Sequence, residues 1–238
     1  MNKKLSKKTL LFTHILPVLK KQAAYFSLEA VKRAVVSAEI DLAEVTLWEY
    51  MSVAMASGIV HDAGRGWYSR HDKLVDLDPK PVAKVIRIIE KAFPLLDFCC
   101  WSTIQFNPFA QHLIAQPMIL LYLESDTLES VAECLREANW DAWPNPDKHD
   151  VESFIRPGEK TIILRPAISK QPEGKNHVAP IEKALVDLIF ESSKLQMMDP
   201  TEAQQILETV LRSGLIQLPI MFGYAKRKKQ NIQSKEIT

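Results

Sequence analysis

Apolar residues recur at helical spacing through the first 57 residues, which predicts three helices. Pro17 interrupts the first apolar stretch and predicts a kink or break there. Ser27 suits the N-cap of the second helix. The third helix is predicted from about Glu44 to Ser57, and Gly58 ends it because glycine readily adopts the left-handed conformation of a helix C-terminus. Its predicted inward face has the spacing i, i+4, i+7 and consists of Leu47, Met51 and Ala54.

The stretch "GIVHDAGRGWYSR", residues 58–70, predicts a β-hairpin. Its strands would hold Ile59-Val60 and Trp67-Tyr68, and the glycines between them supply the positive φ of a tight turn. Arg65 at the tip is not needed for the turn. Three helices followed by a hairpin with a basic tip are typical of a winged helix-turn-helix, in which the third helix enters the major groove of DNA. Residues 1–72 are therefore predicted to form such a domain.

Helical and extended patterns alternate beyond the polar segment "DKLVDLDPK", which is interpreted as a linker. Extended, β-branched or apolar runs are typical of buried strands, and the runs between them have helical periodicity. Residues 80–225 are predicted to form a small mixed α/β domain, so the whole chain is assigned to the α+β class. "NWDAWPNPD" is interpreted as a loop. Residues 226–238, which begin with four cations, are predicted to be a basic flexible tail. The predicted strands are "LLDFCCW", "MILLYLES" and "EKTIILRPAIS", and the predicted helices are "VAKVIRIIEKAF", "TLESVAECLREAN", "PIEKALVDLIFES" and "DPTEAQQILETVLRSG".

Composition and charge narrow the class of protein. The chain has 238 residues, of which 47% are hydrophobic and 25% charged, and these are ordinary values for a globular protein. Its net charge of +1 creates no strong field toward nucleic acid or membranes. The three cysteines lack metal-ligand spacing, no apolar run reaches membrane-spanning length, and the N-terminus does not read as a signal peptide. We therefore expect a cytoplasmic protein without a membrane partner.

The candidate DNA-binding residues follow from the winged-helix prediction. Cations neutralise phosphates, and Thr, Tyr and Trp contact phosphates, sugars or thymine methyl groups. The third helix itself contains neither Lys nor Arg and carries Glu44 and Glu49. A protein–protein adaptor that uses a winged helix without DNA binding therefore remains the alternative. The candidates are Lys32, Arg33, Thr46, Trp48, Tyr50, Arg65 and Arg70.

Two segments resemble the AbiEi family, the antitoxin and transcriptional-regulator half of type IV toxin–antitoxin (abortive infection) systems. "TLWEYMSVAMASGIVHDAGRGWYSR" is similar to that family's winged helix, and "HVAPIEKALVDLIFES" is similar to its helix with a Glu followed by Leu-Val-Asp. "LLDFCCWSTIQFNPFAQHL" between them loosely resembles the family's strand segment. The resemblance implies a DNA-binding repressor of its own operon. It also implies an antitoxin that counters a nucleotidyltransferase-like toxin.

Catalytic patterns are weak, and we expect no enzymatic activity, metal or cofactor. Asp97 and Glu124 lie near predicted strand ends, where a metal-dependent nucleic-acid enzyme often holds carboxylates. However, Glu159 and Lys160 precede the next strand instead of lying within it. The six histidines are scattered, and glycine-rich phosphate loops are absent. An enzyme acting through Asp97 and Glu124 is the least favoured alternative. Lys183 and Asp187 are predicted to pair at i, i+4 on the surface of a core helix.

Overall fold

The computed structural model describes residues 5–64, 66–71, 75–114 and 117–229. These residues form two compact units. Within the described ranges, the first unit contains the chain up to Val75 together with Val210–Phe222. The second unit contains Asp76–Thr209 and residues 223–229. Each unit is described by itself below.

The first unit begins with the three predicted helices and adds one strand that was not predicted. Pro17 does not break the first helix, because the turn before it is π-helical and the α-helix resumes at Leu16. Ser27 caps the second helix as predicted, with its hydroxyl accepting from the Ala30 N–H at 3.2 Å. The elements are α1 (Lys7–Leu10, Leu11–Ile15 and Leu16–Gln22 in succession), β1 (Tyr25–Ser27), α2 (Leu28–Ser37), α3 (Glu44–Ala56), β2 (His61–Asp62) and β3 (Trp67–Ser69).

A three-stranded antiparallel sheet closes the first unit, with β3 between β1 and β2. The predicted hairpin is confirmed, but its paired residues start at His61, two positions later than expected. Phe26 of β1 lies opposite Tyr68 of β3, and their ring centroids are 5.9 Å apart. The sheet therefore joins the hairpin to the connection between α1 and α2.

The core of the first unit confirms the predicted inward face of α3. Leu47, Met51 and Ala54 are at most 3% exposed. They pack in one cluster with Leu11 of α1 and Val31 of α2. Burial of these side chains sets which side of α3 faces outward.

Gly58 ends α3 as predicted, in a Schellman motif. Its φ is +68°, and its N–H donates to the Met55 carbonyl at 3.0 Å. The Ile59 N–H donates to the Ala54 carbonyl at 2.9 Å. These two bonds satisfy carbonyls that the end of a helix would otherwise leave unpaired.

The second unit is a mixed four-stranded sheet with helices. The strand order is β4-β5-β7-β6, with β4 antiparallel to β5 and the other pairs parallel. The chain is therefore a mixed α+β protein with two small sheets. Strand β6 lies where a loop was predicted, and α6 and α9 were not predicted. The elements from Asp76 onward are α4 (Ala83–Ala92), β4 (Phe98–Ser102), β5 (Ile119–Leu123), α5 (Leu128–Glu137), β6 (Asp141–Pro144), α6 (Lys148–Ser153), β7 (Thr161–Pro166), α7 (Ile181–Ser192), α8 (Pro200–Ser213) and α9 (Leu218–Arg227), with 3₁₀ turns at Thr103–Phe109 and Ser125–Thr127. The last four residues of α8 and the first five of α9 belong to the first unit.

Both faces of the central strands are buried. Leu121 of β5 and Leu164 of β7 pack with Val85 of α4 and Val131 of α5. Leu120 and the other alternate residues of β5 are buried as well. This double burial explains why the strands read as continuous apolar runs.

The predicted basic tail is corrected by the structure over its first residues. Lys226 and Arg227 belong to α9, and the side chain of Lys228 is only 8% exposed. Residues 230–238 of that predicted tail lie outside the described part of the chain. Among the described helices, none combines the length and the apolar character that crossing a bilayer requires.

We expect Gly58→Ala to lower the free energy of unfolding of the first unit by about 1 kcal/mol, since a side chain at positive φ is strained. An added Cβ meets no atom within 4 Å, so the loss would report backbone strain alone. Urea denaturation followed by circular dichroism measures it. Gly58→Asn is the matched control, because Asn tolerates this conformation better and should lose less. Equal stability of the Ala, Asn and Gly proteins would contradict this assignment.

Candidate functional site

The outward face of α3 is exposed and mostly apolar. Val45 is 70% exposed, Trp48 47% and Val53 37%. Glu49 on the same helix is also exposed. This face therefore offers one large aromatic ring, aliphatic side chains and a carboxylate, but no cation.

Two of the predicted contact residues of α3 lie further inward than expected. Thr46 and Tyr50 are half-buried, and Tyr50 packs against the core cluster of the first unit. Val45 and Ser52 face outward in their place. Of the three predicted contacts on this helix, Trp48 is the most available to a partner.

Lys32 on α2 is held by two carboxylates. Its ammonium lies 2.8 Å from Glu29 and 2.6 Å from Glu44, the first residue of α3. Hydrogen bonds to Glu29 and Glu44 raise the pKa of Lys32, and the bond from Lys32 lowers the pKa of Glu44. These pairs are open to solvent and contribute little to stability. They nevertheless offset the Lys32 charge, so a phosphate contact would require Lys32 to leave both acids.

Arg33 and Arg70 are the predicted cations that remain exposed in the described part of the first unit. Within those ranges no ion pair forms at Arg33, whereas the Arg70 Nε donates to His71 Nε2 at 2.9 Å. Either guanidinium can reach solvent and neutralise a phosphate.

The hairpin turn has the glycine geometry that the sequence predicts. Gly64 and Gly66 have φ of +90° and +79°. The Ala63 N–H donates to the Trp67 carbonyl at 3.0 Å, and the Leu28 N–H donates to Gly66 at 2.8 Å. The second bond ties the turn to the start of α2. Arg65, the predicted cation at this turn, lies outside the described residues.

The second unit contains a buried network of charged side chains. The sequence predicted one pair of this network but not its burial. Lys183 and Asp187 do pair, at 2.6 Å, but both side chains are 0% exposed instead of lying on the surface. Asp187 also accepts from the Tyr224 hydroxyl at 2.8 Å and lies 2.9 Å from the Lys228 ammonium. One carboxylate of α7 therefore binds two lysines and a tyrosine.

Glu191 extends this network by one turn of α7. Its carboxylate accepts from the Arg165 guanidinium at 3.0 Å and lies 3.9 Å from Lys228. The Lys183 ammonium sits 3.2 Å from the centroid of the Tyr122 ring, a cation–π arrangement. Burial raises the pKa of Tyr122 and, with the nearby Asp187 carboxylate, the pKa of Tyr224, so both phenols stay neutral. The network connects α7 to β5, β7 and the end of α9.

The acids that suggested an enzyme lie near one another at the sheet edge. Asp97 precedes β4 and Glu124 follows β5, at the end where Phe98 pairs with Leu123. Both carboxylates are exposed. Across the described ranges, no group of three or more His, Cys, Asp or Glu side chains is placed to hold a metal ion.

Residues 46–238 match the model of one protein family, described as a family of unknown function (DUF6577). The match contains most of α3, the hairpin and the whole second unit. A comparison with curated proteins found no match.

We expect Asp187→Asn to destabilise the second unit by about 3–5 kcal/mol, because it removes the carboxylate that pairs with the buried Lys183 ammonium and leaves Lys228 only the more distant Glu191. Chemical denaturation would measure this loss. Glu152→Gln is the matched control, since Lys148 and Glu152 form an i, i+4 pair at 3.6 Å on an exposed helix face. Its expected loss is at most about 0.5 kcal/mol. Similar effects of the two substitutions would show that the buried network contributes no more than a surface pair.

Proposed function

The chain belongs to the DUF6577 family, whose function is unknown, and we propose that it is a cytoplasmic winged-helix regulator and AbiEi-like antitoxin. In this proposal the first unit binds duplex DNA, namely the operator of its own operon. The protein partner is a cognate nucleotidyltransferase-like toxin. In this proposal the chain acts only by binding its partners. It catalyses no reaction and uses neither a metal nor a cofactor.

The element order of the first unit supports a winged helix. Three helices precede a two-stranded hairpin, and β1 between the first two helices completes a small antiparallel sheet. A winged helix places its third helix in the major groove and its hairpin at the adjacent backbone or minor groove. In this proposal α3 would be that third helix.

The observation that carries the DNA-binding proposal is the open outward face of α3 beside a glycine hairpin. Trp48 would contact sugars or thymine methyl groups, and Arg33 and Arg70 would contact phosphates. Arg65 at the hairpin turn would supply a further phosphate contact. Lys32 would have a smaller role, because Glu29 and Glu44 already pair with it.

The antitoxin role rests on the resemblance of two segments. The first contains most of α3 and the hairpin, and the second, "HVAPIEKALVDLIFES", contains α7. The Lys183 and Asp187 side chains of the second segment hold the buried network of the second unit. We propose that this network keeps the toxin-binding part of the protein folded.

A protein-binding adaptor is the second candidate function, and one observation favours it. The outward face of α3 combines exposed Val45, Trp48 and Val53 with Glu49 and has no Lys or Arg. Interface centres are rich in aromatic side chains and poor in charge. On this proposal the same face would bind a protein instead of a DNA groove.

We expect binding to a promoter fragment from its own operon to depend steeply on salt. Three phosphate contacts, from Arg33, Arg65 and Arg70, correspond to a roughly 40-fold loss of affinity between 50 and 200 mM salt. Fluorescence anisotropy with labelled duplex measures it. Arg65→Ala should weaken all duplexes alike and reduce the salt slope by about 1. The matched control is Lys148→Ala, an exposed cation of the second unit. No binding at low salt, or an Arg65→Ala protein identical to the parent, would contradict DNA binding.

Trp48→Ala tests the adaptor function separately. The partner in this test is a nucleotidyltransferase-like protein encoded beside this chain, co-expressed with it. The adaptor function predicts that Trp48→Ala lowers the affinity of the two proteins about 30-fold, which is the loss expected for a tryptophan at the centre of an interface. Phe154→Ala, which removes an exposed aromatic ring of the second unit, is the control and should have no effect. Titration calorimetry on the purified pair measures both. A Trp48→Ala protein that binds this partner as tightly as the parent would contradict the adaptor function.

A further inference from the structure

A groove in the first unit lies between the end of α2 and the start of α3. Its volume is about 470 Å³. Its floor and walls are apolar and include Val35, Ile40, Leu42 and Leu47. Val36 at its edge is 74% exposed although it is aliphatic. The groove therefore exposes apolar surface large enough for one or two side chains of a partner.

The polar lining of the groove is mainly acidic. Glu39, Asp41 and Glu44 are exposed and line it together with one cation, Lys32. That cation is already paired with Glu29 and Glu44. The Lys7 ammonium donates to the Asp41 carbonyl and lies 4.0 Å from its carboxylate, so the rim already binds one ammonium group of the chain itself.

The backbone at Glu39 is strained. The Glu39 N–H donates to the Val36 carbonyl at 2.9 Å, and the Ile40 N–H donates to the Val35 carbonyl at 3.1 Å. These bonds form the same Schellman motif that ends α3 at Gly58, but here the left-handed position, with φ of +55°, holds a glutamate. Glycine would adopt this conformation without strain. The motif places the Glu39 carboxylate at the rim of the groove.

We propose that this groove docks a basic amphipathic segment of a partner protein. An apolar side chain of that segment enters between Val36, Ile40 and Leu42, and flanking Lys or Arg residues pair with Glu39 and Asp41. This is the helix-in-groove mode of recognition, with charge complementarity setting specificity. Nucleic acid is a poorer occupant, because the lining holds three carboxylates and one lysine, and that lysine is already paired with Glu29 and Glu44. The inference stands independently of DNA binding by α3.

The test uses the full chain and a labelled synthetic amphipathic peptide with leucine on one face and lysine on the other. Fluorescence anisotropy compares it with a peptide in which every lysine is replaced by glutamate. We expect the lysine peptide to bind at least tenfold more tightly than the glutamate peptide. Asp41→Asn should weaken it at least threefold, and Val36→Lys at least tenfold. Glu152→Gln, which changes an exposed acid of the second unit far along the chain from the groove residues, should leave binding unchanged.

Glu39→Gly separates binding from folding. We expect its thermal unfolding midpoint to rise, because strain is relieved, while its affinity for the lysine peptide falls at least threefold. A purely structural role of Glu39 would not move stability and binding in opposite directions. The proposal is overturned if the two peptides bind equally, or if Glu39→Gly and Val36→Lys bind the lysine peptide as the parent does. It is also overturned if Glu152→Gln weakens binding as much as Asp41→Asn.

Discussion

Burial of Leu47, Met51 and Ala54 is the interaction on which the arrangement of the first unit depends. These side chains hold one face of α3 against α1 and α2, so the opposite face, with Trp48 at its middle, has to point outward. Contiguous exposed apolar surface is one mark of a binding site. The DNA-binding and adaptor functions that we propose both use this single consequence of core packing.

Local pairing decides which charges of the first unit a partner can use. Glu29 and Glu44 offset Lys32, whereas Arg33 and Arg70 stay exposed. The groove between α2 and α3 is instead lined mainly by acids, namely Glu39, Asp41 and Glu44. Two helices of this unit end in the same hydrogen-bonded motif, with glycine at position 58 and glutamate at position 39.

Local patterns were enough to predict the inward face of α3, the Ser27 cap, the Gly58 terminus and the glycine hairpin, because each depends on neighbours within a few residues. Strand β1 was missed, since three residues carry no alternation and their partner, β3, lies some 40 residues away. The burial of Lys183 and Asp187 was also missed. Apolar residues on every side of that helix were the available signal, but its partner Lys228 looked like part of a charged tail. DNA and toxin binding remain predictions.

We propose that the outward face of α3 is the surface that binds a macromolecule. The test is an NMR titration of isotopically labelled protein with its own promoter duplex at low salt. The signals observed are those of the backbone amides and of the indole N–H of each tryptophan. Our account predicts that the Trp48 signal shifts together with backbone signals of α3 and the hairpin, while Trp101, buried in the second unit, does not respond. Shifts confined to the second unit, with an unchanged Trp48 signal, would contradict it.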